Sequence, residues 1–176
     1  MIVVFDIDGV LANFTRGFTS IAAELGLVEE AWDNDQQPTW DFNFHVDPVW
    51  AVVNDVPDFW RNLPVLARDQ DIEAMWRLHV PILYLTGRRG PTNVVDQTER
   101  WLLDHGFPLG EIVLSSGKAG YLAHRKHEVL AVIDDSPHVL ADLLAGGFPV
   151  TAKRAPYNLG LAMRYVGTVK EFINSL

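Results

Sequence analysis

The chain has 176 residues, 48% of them hydrophobic, enough to bury a core as one globular unit, and no apolar run approaches membrane-spanning length. With no cysteine, disulfides and thiolate metal sites are excluded, and any metal must be held by oxygen or histidine, which favours magnesium. The net charge is −9, with 12 acidic against 4 basic residues between Val10 and Val80; such a surface repels duplex nucleic acid, whose binding needs Lys and Arg, but admits a small phosphorylated molecule held by a few local donors and a metal.

Ile2-Val3-Val4-Phe5 predicts a strand buried on both faces, as in a parallel sheet. Its start at residue 2 leaves no room for a leader, so a cytoplasmic location is expected. The strand runs into Asp6-Ile7-Asp8-Gly9, and carboxylates two residues apart on extended chain point to the same side. Burying like charges that close costs free energy unless a cation or a shared proton compensates. Taken alone, the stretch is either a carboxylate pair with a hard divalent metal at the carboxyl end of a central strand, or an ordinary Asp-Gly turn beside a solvated acid.

Asn13 to about Gly26 has helical spacing, with Phe14, Phe18, Ile21, Ala22 and Leu25 on one face. From Val28 to Pro64 regularity fades into prolines, Asp/Asn joints and aromatics, and short helices such as Pro48 to Asn54 are expected. Asp69 or Asp71 caps a helix carrying Ile72, Met75, Trp76 and His79, and Pro81 to Thr86 is the second strand. A loop over Gly87 to Pro91 leads to a helix over Thr92 to His105, with Val94, Val95, Thr98, Trp101 and Leu102 inward. Ile112 to Ser115 is a third strand, Lys118 to about Glu128 a helix, and Val129 to Ile133 a fourth strand ending in Asp134-Asp135. Ser136-Pro137 opens a helix to Gly146, Pro149 to Thr151 is a fifth strand, and Val169 to Leu176 a closing helix.

This alternation implies right-handed βαβ units on a parallel sheet. Asp6 and Asp8, Thr86, and Asp134 and Asp135 then all fall at the carboxyl ends of strands, along one edge. Three strand ends finishing in Asp-x-Asp, Thr-Gly and Asp-Asp favour a site over an isolated turn.

In these residues and their order the chain resembles the haloacid dehalogenase superfamily of phosphohydrolases. Asp6-Ile-Asp8-Gly9-Val10 resembles its first motif, Leu85-Thr86-Gly87-Arg88 the second, Lys118 at a helix start the third, and Ile133-Asp134-Asp135-Ser136 the fourth. The resemblance implies a Rossmannoid three-layer α/β/α core, residues 1–12 and 66–176, with a small helical cap, residues 13–65, inserted after strand 1. It also implies a phosphomonoesterase. Asp6 is then the nucleophile that forms an aspartyl-phosphate, and Asp8 the acid and base. Mg²⁺ is held by Asp6, the Asp8 carbonyl, Asp134 and Asp135. Thr86, the Gly87 N–H and Lys118 serve the phosphoryl group, with Lys126 the alternative to Lys118. Arg88 is either a phosphate clamp or a solvated loop residue. Dehalogenating members do not require a second Asp, so a halogenated substrate is not expected.

About 70 residues separate the first and second motifs, so substrate selection is expected in the cap. Its aromatics either form the cap's own core or line a slot for a flat base, and Phe14, Phe18, Trp40, Phe42, Phe44 and His45 are the candidates. Asp58 to Pro64 and Thr98-Glu-Arg-Trp-Leu are similar to the 5′(3′)-deoxyribonucleotidase branch, which implies a (deoxy)nucleoside monophosphate substrate. The alternatives are a polynucleotide 3′-phosphatase, another small-metabolite phosphatase, and a catalytically silent phosphate-binding module. No membrane or duplex nucleic-acid partner is expected, and a homodimer is left open. Ala155-Pro156-Tyr157-Asn158 reads as a plain turn or as the edge of the site.

Overall fold

A computed structural model describes residues 1–90 and 92–176; Pro91, expected in the loop after the second strand, lies outside the described residues. Six strands form one parallel sheet: β1 (Ile2–Phe5), β2 (Ile82–Thr86), β3 (Glu111–Leu114), β4 (Val129–Asp134), β5 (Val150–Lys153) and β6 (Tyr165–Val166), in the order β3-β2-β1-β4-β5-β6. β1 sits in the middle, and all four of its residues are buried. Alternate residues serve opposite faces: Val3, Phe5, Ile82, Tyr84 and Ile133 join one apolar cluster, while Ile2, Val4, Leu83, Leu85 and Val132 join another. Covering both faces is what a parallel sheet requires, and it gives the three-layer α/β/α fold.

The helices are α1 (Phe14–Glu24), α2 (Asp47–Asp55), α3 (Asp69–Trp76), α4 (Val94–Asp104), α5 (Lys118–Ala123), α6 (Pro137–Ala145) and α7 (Val169–Ile173). None is long and apolar enough to cross a membrane, among the described residues. The chain leaves the sheet at Ala12 and returns at Val65 side by side, bridged by Asn13 N–H to the Pro64 carbonyl (2.8 Å) and Leu66 N–H to the Leu11 carbonyl (2.7 Å). Residues 13–65 between these points carry α1, α2 and most of the aromatics, and Phe18, Phe59 and Trp60 are buried in the larger cluster.

Several expectations are corrected. Arg68, not an aspartate, precedes α3; Asp71 instead accepts from Arg68 N–H at 2.9 Å and from Lys170 N–H at 2.7 Å, tying α3 to α7. α3 stops at Trp76, whose indole donates to the Gly106 carbonyl from the surface, and Val95 faces solvent because the apolar stripe of α4 runs through Val94, Thr98, Trp101 and Leu102. The helix expected over Lys118 to Glu128 ends at Ala123, and Arg125 turns to pair with Glu111 and Glu128. β6 carries no signal in the sequence, because two residues leave no periodicity to read.

Candidate active site

The turn after β1 is wound tightly, with the Ile7 carbonyl accepting from the N–H groups of Val10, Leu11 and Ala12 and Gly9 N–H donating to the Ala12 carbonyl at 2.8 Å. Gly9 has φ +83, and a Cβ there would lie 1.9 Å from Asp135 Oδ2. Only glycine fits, on both conformational and steric grounds. The first Asp loop is thereby seated directly against the Asp-Asp end of β4.

Asp6, Asp134 and Asp135 offer carboxylate oxygens that all lie within 4.8 Å of one another, and all three residues are buried. Lys118, at the first position of α5, bridges two of them: Nζ is 2.8 Å from Asp6 Oδ1 and 2.7 Å from Asp134 Oδ2. Backbone donors fix the same carboxylates, Ile7 N–H on Asp6 Oδ1 at 2.7 Å and Ser136 N–H on Asp134 Oδ1 at 2.9 Å. Burial holds the Asp6 carboxyl well above the usual range against the pull of Lys118, with Asp134, Asp135 and Asp8 pushing the same way as burial. Burial and Asp134 raise Asp135 to about 7. Burial opposes the Lys118 charge, yet Asp134 and Asp6 carry its ammonium above the ordinary lysine range. Three buried carboxylates gathered around a single lysine leave the cluster short of positive charge. A hard divalent cation suits such a donor set, so the residues fit Mg²⁺, which Asp6, Asp134 and Asp135 would hold.

Asp8 faces a different cation. Its carboxylate receives Arg88 Nε at 3.1 and 3.0 Å and an Nη at 2.8 Å, while the other Nη donates to Thr98 Oγ1 at 3.1 Å. The Arg88 side chain is 0% exposed, between Trp60, whose ring centroid is 5.1 Å from the guanidinium carbon, and Trp101 at 5.5 Å. Arg88 is therefore not a solvated loop residue, and each of its three guanidinium nitrogens donates to a protein partner. Thr86 is fully buried; its hydroxyl approaches Asp8 Oδ2 at 3.5 Å and accepts from Arg88 N–H at 3.3 Å. Lys126 lies elsewhere, donating to the Gly146 carbonyl at 2.6 Å.

Asp6, Asp8, Thr86, Arg88, Lys118 and Asp135 share a cavity of about 290 Å³ whose wall also includes Gly87, Ser115 and Ser116. It adjoins a second, largely apolar cavity of about 470 Å³, and Asp8, Phe14, Trp40, Trp50, Arg89 and Asp135 belong to the walls of both. Phe14, Trp40, Phe42 and Phe44 line the second cavity, with Asn34 and Gln37 as polar groups. Two expected lining residues do not. Phe18 is completely buried under Phe14, Phe42 and Trp50, so it is core; His45 stands in solvent against Asp47 at 3.1 Å.

Tyr157 joins the two parts of the site and had no sequence signal beyond its place after β5. Its hydroxyl bonds Asp135 Oδ2 and reaches Asn34 Oδ1 at 3.0 Å, and Asn34 in turn accepts from Thr15 at 3.1 Å. Burial and Asp135 push the Tyr157 phenol up. Asn158 holds the loop by donating to the Asp135 and Lys153 carbonyls, both at 2.8 Å. Trp40 closes over the pair edge-on to Tyr157 and His138.

No protein-family model and no curated protein matches the sequence. Solved structures do match in shape. A haloacid dehalogenase-like protein of unknown function from Agrobacterium tumefaciens aligns with a TM-score of 0.60 at 15% identity, over 99% of this chain and 96% of its own. A HAD family hydrolase from Deinococcus radiodurans, solved with bound phosphate and sodium, aligns at 0.60 and 18% identity over 97% and 92%. An L-2-haloacid dehalogenase aligns at 0.57 and 13% identity over 98% and 97%. The chain carries the fold of the haloacid dehalogenase-like proteins over nearly its whole length.

Proposed function

We propose that the protein is a Mg²⁺-dependent phosphomonoesterase that works through an aspartyl-phosphate, with residues 13–65 as its cap and a (deoxy)nucleoside monophosphate as substrate. The observation that carries the reading is the pairing of Asp6, in a cluster with Lys118, Asp134 and Asp135, with a second carboxylate, Asp8, on the same cavity. An Asp6 carboxylate oxygen attacks phosphorus as the bond to the leaving oxygen breaks, and Asp8 hands that oxygen a proton. Asp8 then takes a proton from water, whose oxygen attacks the phosphorus, releasing phosphate and restoring Asp6. The Thr86 hydroxyl, the Gly87 N–H and the Lys118 ammonium stabilise the phosphoryl oxygens as charge builds. Bound Mg²⁺ supplies positive charge that offsets repulsion between the Asp6 carboxylate and the phosphate.

A nucleoside is supported by the second cavity. At about 470 Å³ it falls within the range of ligand pockets, roughly 300–1,000 Å³, and it presents aromatic faces beside the polar Asn34 and Gln37. The Deinococcus hydrolase of the same fold was solved with bound phosphate, which supports a phosphorylated ligand for this chain. The test is product release from thymidine 5′-monophosphate, dAMP, sugar phosphates, a 3′-phosphorylated oligonucleotide and 2-chloropropionate, each with Mg²⁺ and with EDTA. Fastest phosphate release from the nucleoside monophosphates, abolished by EDTA, is expected. Inactivity on every phosphomonoester refutes the proposal, and preference for the oligonucleotide selects the end-processing alternative.

A further inference from the structure

Three cations line the catalytic cavity, Arg88, Arg89 and Lys118, and their commitments differ. Lys118 is paired with Asp6 and Asp134, and Arg88 with Asp8 and Thr98. Arg89 is exposed, and among the described residues its guanidinium enters no ion pair or hydrogen bond. It rests instead on the face of Trp50, with its carbon 4.6 Å from the ring centroid. A guanidinium held over a ring, with no ion pair or hydrogen bond of its own, keeps its N–H donors available as the fork that matches a phosphate or carboxylate edge. Arg88 turns inward between Trp60 and Trp101, while Arg89 stands on the walls of both cavities.

Charge points the same way. Asp6, Asp8, Asp134 and Asp135 against Arg88 and Lys118 leave an excess of two negative charges, which a divalent cation cancels. A phosphate arriving at this neutral centre finds, among the described residues, one uncommitted protein cation on the wall, and it stands at the junction that a substrate spanning both cavities must cross. Asp41 lines the aromatic cavity with Arg89, yet no ion pair joins them among the described residues.

We infer that Arg89 is the substrate-binding cation of this site, taking an anionic group of the substrate at the junction of the two cavities. The inference rests on the phosphomonoesterase reading. Arg88 and Arg89 then have separate tasks: Arg88 holds Asp8 in place, and Arg89 selects for anionic substrates.

The experiment compares wild type, Arg89→Met and Arg89→Lys by steady-state kinetics on thymidine 5′-monophosphate, thymidine 3′,5′-bisphosphate and p-nitrophenyl phosphate, and by calorimetric titration with inorganic phosphate. Because Arg89 is exposed, the variants should melt with wild type. Arg89→Met is expected to raise KM for the nucleotide about tenfold with kcat nearly unchanged, the signature of lost uniform binding, and Arg89→Lys is expected to recover only part because it lacks the fork. A matching loss of inorganic phosphate affinity places the contact on the reacting phosphate; a loss confined to the bisphosphate places it on a second anionic group. Unchanged KM for every hydrolysed substrate together with unchanged phosphate affinity overturns the inference, as does a fall in kcat alone. If wild type hydrolyses no phosphomonoester, the functional reading fails separately, and the phosphate titration still decides the role of Arg89.

Discussion

Replacing Arg88 by methionine removes the cation that holds Asp8 while leaving an unbranched apolar side chain between Trp60 and Trp101. Deleting one partner of a buried ion pair costs about 3–5 kcal/mol, because the other charge is left buried without compensation. Here the Arg88 side chain is 0% exposed but Asp8 is 19% exposed along the cavity wall, so water reaches the abandoned carboxylate in part. That places the expected loss near the lower end, about 3 kcal/mol, with contact to the two rings partly retained by the thioether. Asp8→Asn in the same background removes the stranded charge, so the double variant is expected to be more stable than Arg88→Met by about 2 kcal/mol, and the two changes are expected to be non-additive as for residues in contact. Urea denaturation of the four proteins in EDTA reads both numbers, provided the slopes agree. A loss below about 1 kcal/mol in Arg88→Met, or a double variant no more stable than the single one, refutes the view that Asp8 depends on Arg88 for its charge balance.

Asp6→Asn is expected to abolish turnover without lowering the melting temperature in EDTA, because a buried acid crowded by Asp8, Asp134 and Asp135 becomes neutral while Lys118 keeps Asp134; retained hydrolysis removes the nucleophile assignment. Asp6 is raised above the usual carboxylate range and Asp135 to about 7, so the contribution of Asp135 to metal-free stability is complete below the ordinary carboxylate pKa and lost as pH rises through about 7. Melting in EDTA should therefore fall across that window relative to an Asp135→Asn control, and the gain on adding Mg²⁺ should be larger at pH 8 than at pH 5.5; a gain independent of pH contradicts the assignment. Tyr157→Phe removes the hydroxyl that bonds Asp135 and Asn34, and should weaken Mg²⁺ about tenfold by titration calorimetry, whereas unchanged affinity would show that Tyr157 has no part in orienting Asp135.

The amino-acid sequence by itself determined the sheet and its loaded edge. Strands of β-branched residues that enter a parallel sheet carry their own signature, and carboxylates and a threonine at the ends of three of them are visible without coordinates because chain order sets which strand ends meet. What needed tertiary structure were pairings across distance. Arg88 lies 80 residues from Asp8, and only the packing of Trp60 and Trp101 around its guanidinium decides that it turns inward while Arg89 does not. Tyr157 is 123 residues from Asn34, and its tie to Asp135 follows from a loop after β5 that no period or motif marks. The aromatics of residues 13–65 divided in the same way. Phe18 and Phe14 share a helix face by spacing, but burial under Phe42 and Trp50 makes one of them core, and the cavity beside Asp8 leaves the other at a wall. Local sequence encodes periodicity and strand ends; which side chain a buried charge or an aromatic ring finally meets is set by the fold as a whole.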